Sequence, residues 1–319
     1  MKISIVTTLY RSELHVDEFH RRISAAAAAL TDDFEIVMVD DGSPDNSLQI
    51  ARRLAAVDRH VKVVELSRNF GHHKAMMTGL EVAQGDFVFL IDVDLEEEPE
   101  WLAPFWSALH HEDVDVVYGF QTTRKGHVLE RLGGAIHWWV IRRLSSYPIP
   151  QNLVTARLMK RQYVRSLLLH REHKTAIGGL WAITGYRQRG LPVTKRSRGD
   201  SSYSLGRRIA MGFEGITSFS EKPLILVFML GVIIFAVALV GAVYLTLLRF
   251  SGQLLSGWAS VMVSIWMLGG LSIASMGILG LYIARIFIET KHRPYSIIRA
   301  VHDSSISSLN DVETRSTDH

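Results

Sequence analysis

The chain has 319 residues, with 35 Lys and Arg against 32 Asp and Glu, a formal net charge of +3, and no cysteine. Lack of cysteine excludes disulfides, thiolate metal sites and a cysteine nucleophile. So small a basic excess, placed beside apolar stretches, points to a membrane surface and not to nucleic acid as the partner.

In chain order, strand-like apolar runs are predicted at 3–8, 35–39, 61–66, 87–91 and 114–118, alternating with helix-like stretches at 16–30, 47–57, 74–83 and 100–109. This alternation predicts an α/β fold, a mostly parallel doubly wound sheet with helices on both faces. Ligands of such sheets bind outside the carboxyl ends of the strands. Three polar clusters fall there: "TTLYRSE" after the first strand, "DDGSPDN" after the second and "DVDLEEE" after the fourth. Tyr10, Asp40, Asp41, Asp92 and Asp94 are thereby brought toward one rim. No GxGxxG follows the first strand and no GxxxxGK[ST] occurs, so glycine-loop amides do not supply the neutralisation of a bound nucleotide's phosphates.

The third cluster is the most demanding, because it places six carboxylates between positions 92 and 100. Like charges at that density repel unless something positive sits among them. A divalent cation on Asp92 and Asp94, with Glu96 as a further ligand, answers this, and hard oxygen ligands suit Mg²⁺ or Mn²⁺. Glu97, Glu98 and Glu100 are read differently, as acidic residues at the start of a helix that Pro99 opens. In "DDGSPDNS", turn chemistry accounts for residues 42–46, whereas Asp41 is a candidate acceptor of hydrogen bonds from a base or ribose. His72 and Lys74 follow "SRNFG" at a strand end and are candidates for the donor side of the site; the remaining histidines show no HExxH pattern.

Beyond residue 223, positions 224–248 and 258–284 contain no Asp, Glu, Lys or Arg. Each exceeds the roughly 20 residues needed to cross a hydrocarbon core. The short link between them predicts a hairpin. Arg207, Arg208 and Lys222 precede the first span and Arg285, Lys291 and Arg293 follow the second, which places the N-terminal domain and both termini on the cytoplasmic face. The expected organisation is a catalytic domain at 1–205, a juxtamembrane amphipathic segment at 206–222, a transmembrane hairpin at 223–289 and a partly disordered cytoplasmic tail at 290–319. Trp138 and Trp139 are candidates for an interfacial segment or for ordinary core packing. Gly269, Gly270, Gly277 and Gly280 offer small-residue surfaces for helix packing, which leaves room for a homo-oligomer.

The ordered set "VDDGSPDNS", "LSRNFGHHKAMMTGL", "GDFVFLIDVDLEEEPEWL", "VVYG", "GITSFSEKPL" and a hairpin ending "ETKHRPYSI" resembles the family 2 glycosyltransferases that attach a sugar to a polyprenyl phosphate, the dolichyl-phosphate mannose synthase group and its bacterial undecaprenyl-phosphate glucosyltransferase relatives. The likeness runs from residue 3 to about 298. It implies a GT-A fold, inversion at the anomeric carbon, a nucleotide-sugar donor (UDP-sugar first, GDP-mannose second), a lipid phosphate acceptor and a divalent metal. By position it implies metal ligation by Asp92, Asp94 and Glu96, and donor binding by Thr8, Tyr10, Asp40, Asp41, Lys74, Asp92 and Val93. Arg124, Arg157 and Arg198 would act in catalysis with Asp92 and Asp94, and together with Ser201 would hold the acceptor phosphate. The chain departs from the pattern at Thr8, Arg11, Gln121 and Ser202. Its largest departure is at Thr155 and Ala156, where relatives carry an Asp considered as a base. A sugar hydroxyl wants such a base, whereas a phosphate monoester is already largely dianionic near neutrality and needs positioning cations instead. Two other readings stay open: a catalytically silent partner subunit, and a transferase acting on a lipid-linked saccharide hydroxyl.

Overall fold

The computed structural model describes residues 1–121, 152–170, 177–195, 257–291 and 293–304, with positions 224–225, 227–231, 233–234, 236–237, 240–241 and 244. The chain forms two compact units, one of Met1–Gly133, Tyr147–Ser204 and Pro294–His319, the other of Gly134–Ser146 and Leu205–Arg293.

The first unit is built on an eight-stranded mixed sheet. Its strands are β1 (Ile3–Leu9), β2 (Phe34–Asp40), β3 (Val61–Leu66), β4 (Phe87–Leu90), β5 (Val116–Gln121), β6 (Leu153–Lys160), β7 (Gln188–Val193) and β8 (Ile298–His302). They lie in the order β7-β5-β6-β4-β1-β2-β3-β8. β1 to β4 are mutually parallel where they pair, as predicted. β6 runs antiparallel to both β4 and β5, and β8 antiparallel to β3, so the sheet is mixed. β1 and β2 are buried at every position because helices cover both faces.

On one face, α1 (Val16–Ala28), α2 (Ser47–Val57) and α4 (Leu102–His111) deliver Phe19, Ile23, Ala51, Leu54, Leu102 and Phe105 onto Ile3, Ile5, Ile36, Met38 and Phe89. α3 (His72–Val82) packs on β1 and β2 with Met76, Met77 and Leu80 buried. Gly79 lets it come close: a Cβ there would lie 2.5 Å from Val6 Cγ1 and 2.9 Å from Val39 Cγ2. Two short helices, α5 (Arg161–Leu167) and α6 (Ile177–Ile183), follow β6.

The predicted tail at 290–319 is corrected in part. Residues 298–302 form β8, an edge strand whose backbone finds partners on β3, with the ladder extended by Ser67 N–H donating to Ile297 O at 2.9 Å. In the second unit, α7 (Trp258–Thr290) is 33 residues long and runs six residues past the predicted end of its span. Within it, Met267–Thr290 is the one described helix long and apolar enough to cross a membrane. The other predicted span, 224–248, lies partly outside the described residues; its described positions are helical.

Candidate active site

The carboxyl ends of β1, β2 and β4 converge as the chain alternation requires, and β6 adds a fourth side. Asp92, just past β4, accepts a hydrogen bond from Thr155 Oγ1 at 2.9 Å. Its other oxygen is 3.3 Å from His72 Nε2. The opposite ring nitrogen of His72 is 2.9 Å from Thr8 Oγ1. A polar chain Thr8–His72–Asp92–Thr155 thus ties β1, α3, β4 and β6 together. Burial works against the Asp92 charge, yet the contacts with His72 and Thr155 hold its carboxyl below the ordinary value. His72 shifts up in turn, as Asp92 and then Asp41 and Glu97 favour its charged form over the opposing effect of burial.

Asp94 closes a local turn in which its Oδ1 accepts the Glu96 N–H at 3.0 Å. Leu95 makes that turn in the left-handed region at φ 62°. A branched side chain there costs about 1 kcal/mol or more, strain of the kind kept at working sites. Burial, with Asp92 nearby, pushes Asp94 up.

The countercharge to this cluster comes from a residue the sequence did not single out. Lys195 Nζ lies 3.3 Å from Glu96 Oε2 and 3.7 Å from Glu97 Oε1. Its charge is favoured, against burial, by Glu97, Asp92, Asp94 and Glu96. The predicted ligand trio of Asp92, Asp94 and Glu96 is accordingly not assembled, since Glu96 turns to Lys195. Among the described residues no group of three or more His, Asp or Glu side chains is placed to hold a metal ion. Asp92 and Asp94 nevertheless offer hard carboxylate oxygens that suit Mg²⁺ or Mn²⁺, and Asp92 Oδ1 is buried without a well-formed hydrogen bond.

Glu97 corrects a second expectation. It is fully buried, unlike the exposed Glu100, and its Oε1 accepts the Thr155 N–H at 2.9 Å. Burial and then repulsion from Asp92 push its carboxyl up. Thr155 therefore bonds two carboxylates at once, through its amide and its hydroxyl. An Asp at that position would set a third carboxylate against them.

The remaining candidates divide sharply. Thr8 is nearly buried, whereas Tyr10 is 45% exposed at the rim with the Arg11 guanidinium 5.6 Å from its ring centroid. Asp41 is occupied with structure: its two oxygens accept the Phe70 and Gly71 N–H groups at 2.7 and 2.9 Å, fixing the loop that launches α3. Asp40 keeps one buried oxygen without a hydrogen bond, and burial raises its carboxyl to about 6. The Val93 side chain belongs to the apolar core, which leaves only its backbone for a ligand. Lys74 stands in the first turn of α3, half-buried.

Arg157 is 1% exposed. Its guanidinium stacks 2.9 Å from the centroid of the Trp181 ring, its Nε donates to Thr155 O at 3.3 Å, and one terminal nitrogen lacks a partner among the described residues. It lines a cavity of about 150 Å³ with Tyr118, Leu153, Trp181 and Gln188. Arg124, Arg198 and Ser201 lie outside the described residues, as do Trp138 and Trp139.

A "Putative glycosyltransferases" protein of Mycobacterium tuberculosis is 49% identical over 96% of this chain and 90% of its own length. A "Bactoprenol glucosyl transferase" of Shigella phage SfV is 31% identical over 94% of this chain and 98% of its own length. Among solved structures, a mannosyltransferase from Pyrobaculum calidifontis in complex with GDP-Man and Mn²⁺ is 20% identical, with a TM-score of 0.46, over 63% of this chain and 58% of that one. The family model of glycosyl transferase family 2 matches residues 4–168, more than half of the chain, and with relatives this similar along nearly its whole length the protein belongs to that family of enzymes.

Proposed function

We propose that this glycosyltransferase moves a hexose from a nucleotide diphosphate sugar, a UDP-sugar by preference, to a polyprenyl phosphate at the cytoplasmic membrane face, with inversion. The observation that carries the reading is the rim itself: Asp92, held by Thr155 and His72, and Asp94, held by the Glu96 N–H, beside Asp40 with an unused oxygen and the exposed ring of Tyr10. Tyr10 stacks on the base, and Asp40 accepts from it. In the transfer, an oxygen of the lipid phosphate bonds to the anomeric carbon while the carbon–oxygen bond to the nucleotide diphosphate breaks and its electron pair leaves with the diphosphate. Asp92 and Asp94 would hold Mg²⁺ or Mn²⁺, which when bound neutralises charge on the leaving group.

The lipid acceptor is supported by two features. One is the apolar helix α7, with the predicted companion span completing a hairpin. The other is the likeness to the phage protein, a bactoprenol glucosyl transferase by name. Thr155 fits this acceptor too. A phosphate oxygen needs no base, so the position is free to orient Asp92. Arg124, Arg198 and Ser201 hold the acceptor phosphate, and Arg157 adds positive charge behind Glu97.

The test is incorporation of labelled sugar from UDP- and GDP-sugars into polyprenyl phosphate by the purified protein, with and without Mg²⁺ or Mn²⁺. Metal-dependent glycolipid from one donor, absent with Asp94→Ala, is expected. Transfer only to a lipid-linked saccharide would overturn the choice of acceptor.

A further inference from the structure

The segment that follows the apolar helix reaches the end of β3 and the first turns of α3. Between α7 and β8, Tyr295 sets its ring 5.3 Å from the Lys74 ammonium, within the range of cation–π attraction. The next residue, Ser296, shares a 2.6 Å hydroxyl contact with Thr78, whose hydroxyl in turn donates to Lys74 O at 2.9 Å. Tyr295 thus faces the Lys74 side chain directly, while Ser296 reaches the Lys74 carbonyl only through Thr78, which donates to it. One strand farther on, Arg299 and His302 lie 3.3 and 3.2 Å from Glu65, the β3 residue in register with Asp40. All these contacts fall within the first unit, at the ends of β2 and β3 and the first turns of α3.

We propose that Tyr295 is a positioning residue for the nucleotide donor, holding Lys74 where it meets the donor's phosphates. A lysine is a flexible point charge with high rotamer entropy, so a ring that restricts it raises the fraction of time the charge is in place. The inference rests on the donor-site reading given above.

The experiment is equilibrium binding of UDP and of GDP, each with MnCl₂, to the full-length protein in detergent. The variants are Tyr295→Ala, Tyr295→Phe, Lys74→Ala and the Tyr295→Ala/Lys74→Ala pair, with melting temperatures measured alongside. Tyr295→Ala is expected to weaken binding of the preferred nucleotide about fivefold, and Tyr295→Phe to leave it within about twofold, because the ring is what faces the cation. In the Lys74→Ala background, Tyr295→Ala is expected to have no further effect. Should Tyr295→Ala fail to fold, Tyr295→Leu takes its place. Unchanged binding in Tyr295→Ala, or the same loss when Lys74 is already gone, would overturn the inference and leave the donor site standing. A wild-type protein that binds neither nucleotide would overturn both.

Discussion

The two ends of the central strands treat buried charge in opposite ways. At the amino end, Glu35 is buried, and Ser4 Oγ and Gln84 N–H each donate to it at 2.6 Å while Lys2 Nζ lies at 3.0 Å. Burial opposes its ionisation, but these partners hold its carboxyl below the ordinary value. At the carboxyl end, Asp40 and Glu97 each keep a buried oxygen without a hydrogen bond, and both carboxyls are pushed up. The same sheet thus carries a fully hydrogen-bonded carboxylate at one end and, at the other, carboxylates that each keep an oxygen without a hydrogen bond among the described residues.

That contrast can be broken in graded ways. The largest effect is expected from Asp94→Ala, which should lower transfer about a thousandfold, the several kcal/mol a bound cation contributes to a leaving diphosphate. Its thermal stability should hold or rise, as one of several repelling charges is gone; a drop in melting temperature parallel to the activity would contradict the distinction. Glu35→Ala should do the reverse. It strands Ser4, Lys2 and Gln84 at a cost of about 2–4 kcal/mol in unfolding free energy, with turnover of the folded fraction unchanged.

A smaller effect separates the ends by pH. Asp40 has a raised carboxyl, so the fold favours its protonated form. The associated stability is complete below the ordinary value of 3.8 and is lost as pH rises through about 6. Asp40→Asn should remove that dependence, worth up to about 3 kcal/mol for this buried carboxyl, in denaturation curves taken between these limits. The smallest effect concerns Lys195. Replacing it with Met takes one positive charge from the acidic cluster and should tighten Mn²⁺ binding about fourfold, as followed by electron paramagnetic resonance. Weaker binding would mean that the lysine organises the carboxylates more than it competes for them.

How far these regions could be read in advance depends on what each residue answers to. β1 to β5 are apolar runs of the right length, and their alternation with amphipathic helices leaves little choice of architecture. β6 ("LVTARLMK") and β7 ("QRGLPV") carry polar residues, and β7 has a glycine and a proline, which an edge strand tolerates and a periodicity test does not recognise. β8 falls within the stretch read as a partly disordered tail, because its five residues gain their meaning from β3, some 230 positions away.

Within the site, Asp92 and Asp94 stood out since they end a core strand. Glu97 did not. Nothing in "LEEEPE" distinguishes the residue that becomes fully buried from its exposed neighbour Glu100, which pairs with Arg22. Lys195 was hidden for the same reason, being one basic residue among several in "VTKRSRG". Asp41 shows the converse case: its prominence was real, but its hydrogen bonds are spent on the loop before α3.

The position of β8 also bears on how the protein is made. Synthesis proceeds from the amino end, so β3 stays an open sheet edge until the chain has been extended through α7 to residue 302. An open edge is a template for unwanted strand pairing. The last of the described strands is the one that closes it and brings Tyr295 to Lys74. The contact between Tyr295 and Lys74 therefore forms after production of the apolar helix, and a nascent chain stalled before that point would expose a β3 edge that the finished protein keeps covered.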